Sequence, residues 1–408
     1  MDKPALLGGT PVRTAPYPAW PQSDGRDMKY LNEVLETSKW GGTIHGPKVT
    51  AFCQTWARYS DARFGVGLTS CTAGMELALR AFDIGPGDEV IVPSYTFIAT
   101  AVAPLTAGAD AVFVDIDPKT FCIPPEAVEA AITPRTKALI PVHFAGHACD
   151  VEGLQRVARR HGLKIVWDCA HAHTTEWRGK KVGGLEQVAS YSFNHAKNLT
   201  CGEGGLVTTD DPDLADLLRY TLSTFGRQKD RPWYEHHRLG FAHPLIEFQA
   251  AVLMGQFERL EEQSRRREEN ARALSRGLSE IGGLDPPHIA PDATRHGWHI
   301  FMATYHPEAF DGLPKGAFLK AMNAEGIPCG GGYLFPLYDN PMFDRRTGRV
   351  NGGHAKFRAM PCPSAEWACK EGAVLFAQST LLAGPDDMND IVTAVAKVKA
   401  SAKELLRA

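Results

Sequence analysis

Between Thr72 and Thr209 the chain alternates short apolar runs with stretches of helical period, and this alternation narrows the fold more than any other feature. The runs are Glu89-Val90-Ile91-Val92-Pro93, Ala111-Val112-Phe113-Val114, Ala138-Leu139-Ile140-Pro141-Val142, Ile165-Val166-Trp167 and Val188 to Phe193. Each has strand length and is rich in β-branched and aromatic residues. Stretches such as Val151 to His161, with charges on one face, lie between several of them. Parallel strands need long crossovers, usually helices, so this pattern predicts an α/β fold around a largely parallel sheet. Ligands of such sheets bind beyond the carboxyl ends of the strands. The residues just past each run are therefore where chemistry is expected.

At 408 residues the chain is long enough for two or three domains. Residues 1–25 are rich in Pro and Gly and lack periodicity, so they read as an arm over the body. A long helical pattern from about 247 to 278 is broken by Gly282-Gly283 and Pro286-Pro287. The expected division is a large domain over 26–284, including that helix, and a smaller α+β domain over 285–408. In the latter, His299 to Thr304 is strand-like, and 314–325 and 386–405 are helical. A formal net charge of -3 gives no basic field for nucleic acid. Arg265-Arg266-Arg267, followed by Glu268-Glu269, reads as the solvated face of a helix. The nine cysteines form no C-x-x-C pair, which suits a reducing compartment with buried thiols. No run of about 18 apolar residues would cross a membrane, and the expected location is cytoplasmic.

Lys197 stands in a polar loop after the run ending at Phe193 and before Gly202-Glu203-Gly204-Gly205. A lysine held at a strand end in an apolar pocket loses hydration. Its pKa falls, and the neutral amine can form a Schiff base with an aldehyde. Asp168 follows Ile165-Val166-Trp167. A carboxylate there can keep a pyridine nitrogen protonated, although a structural Asp or a helix cap would look the same. Thr69-Ser70-Cys71-Thr72-Ala73-Gly74 opens a helical stretch whose amides and hydroxyls suit a phosphate, or serve as a plain cap. Phe97, after Ser94-Tyr95-Thr96, offers a face for a planar ring or for core packing. Ser192 precedes Lys197 by five residues. Together, a phosphate-binding helix start, an aromatic platform, a strand-end Asp and a lysine point to pyridoxal 5'-phosphate.

These motifs resemble the signatures of the DegT/DnrJ/EryC1/StrS aminotransferases, the sugar and aminocyclitol aminotransferases of fold type I. The resemblance runs from near Trp40 to the final helix, and the block from Ser192 to Gly205 is its most specific part. It implies a large domain with a seven-stranded, mostly parallel sheet, a small C-terminal domain, and a homodimer with two shared active sites. It also implies roles. Lys197 carries the Schiff base and moves the proton, and Asp168 faces the pyridine nitrogen. His171 lies near the 3-hydroxyl, Phe97 stacks on the ring, and Thr72, the Ala73 amide and Ser192 hold the phosphate. The reaction implied is ping-pong transfer of an amino group from glutamate or glutamine to a keto group of a sugar or cyclitol. Pro18-Ala19-Trp20-Pro21-Gln22 and Asp168 to His173 resemble a subgroup acting on carbocyclic substrates. That subgroup includes inosose aminotransferases and the synthase of 3-amino-5-hydroxybenzoate.

One position departs from the family pattern. Gly240-Phe241-Ala242-His243-Pro244 has Ala242 where the family usually carries an Asn that reaches the neighbour's phosphate. Either His243 takes over, or the contact is absent. Gly330-Gly331-Gly332-Tyr333 reads equally as a substrate-contacting loop or as a loop with no ligand. Other readings are a non-sugar ketone as acceptor, a dehydratase or aromatising synthase of the same family, and a non-catalytic relative. The family's 3-dehydratases have His where this chain has Lys197. A different class is a zinc hydrolase using His143, His147, Cys149, Asp168, His171 and His173.

Overall fold

The computed structural model describes residues 3–41, 45–185 and 187–407. The five apolar runs form β2 (Glu89–Pro93), β3 (Asp110–Val114), β4 (Thr136–Leu139), β5 (Lys164–Asp168) and β6 (Val188–Ser192), and two strands outside those runs, β1 (Phe64–Leu68) and β7 (Gly205–Thr209), join them. Further along come β8 (Leu284–Asp285), β9 (Ile300–Tyr305), β10 (Phe357–Ala359) and β11 (Ala373–Ala377). The main sheet has the order β1-β7-β6-β5-β4-β2-β3-β10. Only β7 runs against its neighbours, and every other pair from β6 to β10 is parallel.

The sheet therefore has eight strands, not seven. The eighth, β10, comes from the C-terminal stretch and pairs parallel with β3 at the sheet edge. Three residues are too few to show a period of two, which is why the sequence pattern does not reveal it. β4 stops at Leu139, short of the expected Val142. Pro141 has no N–H to continue the ladder, and only an isolated bridge joins Val142 to Asp168.

The helices that bear on the site are α1 (Gly25–Thr37), α2 (Pro47–Tyr59), α3 (Cys71–Ala81), α4 (Ala99–Ala107), α5 (Pro125–Ala131), α6 (Val151–His161), α7 (Glu247–Ile281), α8 (Lys315–Ala324) and α9 (Pro385–Ala400). α6 spans the predicted residues. Asp150 accepts the Gly153 amide at its start, Gly162 ends it at φ 65, and Arg159, Arg160 and His161 crowd its negative end.

Two apolar cores form. The first packs both faces of the main sheet, with Trp56, Phe113 and Trp167 fully buried. The second lies between α7, the antiparallel sheet β8-β9-β11 and α9, around Phe301, Phe318 and Val395. α7 contributes Leu253 and Leu260 to the first and Leu274 and Leu278 to the second. The arm lies on the second core through Leu6, Leu7, Val12 and Tyr17. There Arg13 pairs with Asp387 and Asp390, and Glu325 accepts the amides of Ala5 and Val12. We propose that the division into arm, 26–284 and 285–408 follows these cores, with Tyr338, Phe343 and Phe357 lent to the first. Among the described residues, no helix is long and apolar enough to cross a membrane.

Arg267 overturns one expectation. It is not on a solvated face but is fully buried in α7. A three-residue run spans about 200° around a helix, so its members do not all face solvent on a helix packed on more than one side.

Gly205 opens β7 directly against the start of α3. A Cβ there would lie 2.2 Å from the Ser70 carbonyl carbon and 2.5 Å from the Cys71 nitrogen. Gly205→Ala must therefore push backbone against backbone. We expect a lower urea midpoint with an unchanged slope, a loss of about 1–3 kcal/mol. A midpoint equal to the parent's would show that the α3 start yields freely.

Candidate active site

The order of the main sheet reverses between β2 and β4, and there the carboxyl ends of the strands open onto a cavity of about 550 Å³. Its walls include Thr72, Phe97, Asp168, His171, Ser192 and Lys197. These are six of the seven residues singled out for the cofactor. Ala73 is the exception. Ser70 caps α3, its hydroxyl accepting the Ala73 N–H at 3.1 Å, and Ser70 takes the place at the wall. Thr72, in the first turn of α3, is also on the wall. The positive end of α3 and these residues make an anion site.

Asp168 ends β5, where its carboxylate is nearly out of reach of water at 4% exposure. One oxygen accepts the Thr100 hydroxyl at 2.9 Å, and the other the Ala170 amide at 3.0 Å. The Cys71 thiol lies 3.7 Å from the second oxygen and 3.3 Å from the Ser190 carbonyl, its stronger acceptor. Burial pushes the Asp168 pKa above its usual value, while the Ala170 and Thr100 hydrogen bonds and the Lys197 charge pull it back. The carboxylate is thus desolvated with its counter-charge incomplete.

Lys197 rides a loop closed by short cross-links. The Phe193 amide donates to the Gly204 carbonyl at 2.8 Å, and the Lys197 amide to the Asn194 carbonyl at 2.9 Å. The Asn194 side chain donates to Glu203 Oε1 at 2.7 Å, which ties the two ends together. That gives Glu203 a place in the loop that its motif alone did not explain. Burial lowers the Lys197 pKa, and the charges of Asp168 and Cys71 only partly oppose this.

His171 Nδ1 accepts the Ala145 amide at 3.2 Å, so the neutral ring carries its proton on Nε2 and can donate there. Burial and the Lys197 charge keep it neutral by pushing its pKa well down. Its ring centroid lies 4.3 Å from that of His299, another wall residue. Asn198 fixes the tautomer of His299. Its amide nitrogen donates to the Gly297 carbonyl at 2.8 Å, so its oxygen accepts from His299 Nδ1 at 3.0 Å. His299 Nε2 therefore holds a lone pair. Phe97 is 59% exposed, an unusual state for a large aromatic beside a cavity and one that leaves a face for a ring to cover.

Sequence reading missed Thr100, Cys71, Asn198, His299 and Tyr333. Thr100 lies three residues past Phe97, on the same side of a helix turn, which is a usable signal. His299 opens a strand-like run and had the same strand-end logic in reverse. The glycine loop brings Tyr333, not its glycines, to the cavity wall. Gly332 has φ +74, and a Cβ there would meet the Tyr95 hydroxyl at 2.1 Å. The buried Lys315 amine holds the loop by donating to the carbonyls of Gly331, Ala368 and Cys369 at 3.1, 3.2 and 2.6 Å.

The imagined zinc ligands are dispersed over separate backbone partners. His143 Nδ1 takes the Cys149 amide, His147 Nε2 the Ala290 amide, and His173 Nε2 donates to the Ser192 carbonyl. Among the described residues no three His, Cys, Asp or Glu side chains converge as a metal site requires. His243 turns towards its own chain. Its Nδ1 is 3.3 Å from the Thr69 hydroxyl, and its carbonyl accepts the Thr69 amide at 3.0 Å.

Residues 21–396 match the model of the DegT/DnrJ/EryC1/StrS aminotransferase family. An L-glutamine:2-deoxy-scyllo-inosose aminotransferase of Streptoalloteichus tenebrarius is 37% identical over 97% of both chains. An enzyme of the same name from Streptomyces fradiae gives the same figures. The structure of a 3-amino-5-hydroxybenzoic acid synthase superposes with a TM-score of 0.82 at 32% identity, over 95% of this chain and 100% of that one. An aminotransferase of Psychrobacter cryohalolentis does so with a TM-score of 0.85 at 27% identity, over 95% and 100%. On a match that spans the sheet, the cavity and both cores, the chain belongs to the DegT/DnrJ/EryC1/StrS aminotransferase family.

Proposed function

We propose that this chain is a pyridoxal 5'-phosphate aminotransferase that moves an amino group from glutamine or glutamate to a keto group of a cyclitol or sugar. The observation that carries the reading is the pairing of Lys197, its pKa lowered, with the buried Asp168 on the walls of one cavity. The residues present fit the cofactor. Asp168 is a buried carboxylate in need of a cation, which a protonated pyridine nitrogen supplies. His171 Nε2–H suits the ring hydroxyl, and the face of Phe97 suits the ring. The start of α3, with the hydroxyls of Thr72 and Ser192, suits the phosphate. When bound, the cofactor supplies an electron sink for charge developing on a substrate carbon.

The chain's own groups do the rest. Lys197 Nζ, whose charged form is disfavoured by burial, would be the nucleophile that holds the cofactor. The same Nζ would be the base that takes a proton from the donor's α-carbon and returns it. Thr100 and the Ala170 amide keep the Asp168 carboxylate aimed and favour its charged form against the effect of burial. His299 Nε2 and Tyr333 offer neutral hydrogen-bonding groups at the same wall, which suit a polyhydroxylated acceptor. The inosose named in the two relatives is the acceptor class we assign to this chain.

The same site supports a homodimer with shared active sites. The described wall residues include no arginine, the usual bidentate partner of an amino-acid carboxylate. Outside the cavity wall, Trp233, Tyr234 and Leu239 are 69%, 79% and 76% exposed, apolar surface that calls for cover. A second copy of the chain seated on that surface would supply the cover.

Three outcomes test the reading. Glutamine with an inosose should give the fastest amino transfer in a panel of keto-sugars, inososes and small ketones offered with glutamine, glutamate and alanine. Transfer to small ketones alone would remove the acceptor assignment. Asp168→Asn keeps the shape and removes the charge, so turnover should fall by about a hundredfold or more. Near-parent turnover would make Asp168 structural. The third outcome is a pH effect in the cofactor-free protein. The folded pKa of Lys197 lies below its unfolded value, so between the two the unfolded chain binds a proton that the folded chain does not. Stability should therefore rise with pH through that window, whose upper end is the ordinary lysine range near ~10.4. Lys197→Met should flatten the rise, and an unchanged slope in urea midpoints would show that Lys197 is not desolvated.

A further inference from the structure

Arg267 is a cation without a counter-ion. It is fully buried, and among the described residues no carboxylate lies within ion-pair distance of it. Its Nε and Nη2 donate to Gln378 Oε1 at 3.0 and 2.6 Å, and its Nη1 has no partner. Burial alone brings its pKa down to about 9. An apolar side chain of similar volume would usually be the more stable choice at such a place. What the guanidinium does have is an aromatic face, since its central carbon lies 5.2 Å from the ring centroid of Trp20.

Trp20 belongs to the Pro18 to Gln22 motif, which neither the cavity nor the cofactor accounts for. Its indole Nε1–H donates to the main-chain carbonyl of Lys197 at 3.1 Å. With the Lys197 amide already bonded to Asn194, both backbone polar groups of the lysine are fixed. The arm is laid along α7 at this point. The Gln22 carbonyl accepts from Gln256 Nε2 at 2.7 Å and Arg259 Nη2 at 3.1 Å, and the Gln22 side chain accepts from Gln263 at 3.2 Å. Gln378 follows β11, so the contact also reaches the second core. The charge of Arg267 is close enough to push down the pKa of both His173 and His299.

We propose that Trp20 and Arg267 are positioning residues for Lys197: the guanidinium sets the plane of the indole, and the indole N–H sets the lysine carbonyl. The inference rests on the proposed Schiff-base role of Lys197. A lysine whose backbone is held at both ends has only its side-chain torsions left to search. Misplacement by about 1 Å can cost a hundredfold in reactivity.

The test is the rate at which cofactor-free protein captures pyridoxal 5'-phosphate on Lys197, read by borohydride trapping and peptide mapping. Trp20→Phe keeps a ring under the guanidinium and removes the N–H. It should slow capture by at least about tenfold while leaving the urea midpoint near the parent's. Arg267→Met should slow capture to a similar degree, Arg267→Lys should recover part of it, and the double variant should be little slower than either single one. Capture at the parent's rate in Trp20→Phe, or no recovery in Arg267→Lys over Arg267→Met, overturns the proposal. If the parent itself forms no adduct at Lys197, the cofactor reading fails separately. Acetic anhydride labelling then reads the positioning. Lys197 should label more nearly like the surface lysines in Trp20→Phe than in the parent, and equal labelling overturns the inference.

Discussion

The structure turns on two opposite charges kept from water at the carboxyl edge of one sheet. Asp168 and Lys197 each sit where burial disfavours the charged form, and each is only partly relieved by the other. The surroundings are arranged to hold that state. Thr100 and the Ala170 amide fix one group, and the cross-linked loop from Asn194 to Glu203 fixes the other. A site of this kind is unfavourable without a ligand and favourable with one that brings a cation to the carboxylate and an aldehyde to the amine. Binding then relieves a penalty that the empty fold carries.

That arrangement needs a rigid frame, which the parallel strands provide. β5 and β6 are parallel neighbours with Asp168 opposite Ser190, so Asp168 and Ser192 emerge at the same edge of the sheet. β7 returns antiparallel beside β6 and brings Gly205 under the start of α3. Because Gly205 has no side chain, the helix start can sit against the sheet, and its free amides reach the same cavity as the strand-end residues. The anion site, the carboxylate and the lysine loop are thus consequences of one sheet order.

Much of this was legible in the residues. Runs of three to six residues with helical stretches between them identify β2, β3, β5, β6 and α6 to within a residue, and β4 with its end displaced. The strand-end rule then picks out Asp168, Lys197 and Phe97. What was not legible depends on contacts between distant segments. β10 is defined by its pairing with β3, some 240 positions away, and not by any pattern of its own. The Ala73 amide was assigned to a phosphate because helix starts bind anions, but Ser70 reached it first by the equally general rule of capping. Thr100 and Asn198 are polar residues that orient other residues. Thr100 is marked only by its spacing from Phe97, and nothing in the local sequence separates Asn198 from a solvent-facing polar group.

Arg267 shows the same limit from the other side. In sequence it is the third of three arginines beside two glutamates, and a charge run is ordinarily a solvated face. A helix that spans two cores, however, has no uniform outer face, because the side that meets the main sheet near Leu260 and the side that meets the second core near Leu274 are joined without a break. Arg267 falls at the crossing, where the arm, the main sheet and the small sheet all close in. A charged residue survives there only through the partners offered by each segment: the indole face of Trp20 from the arm and the amide oxygen of Gln378 from beyond β11. The long helix therefore does more than link two halves. It carries a buried cation, Arg267, that meets the arm at Trp20 and the small sheet at Gln378.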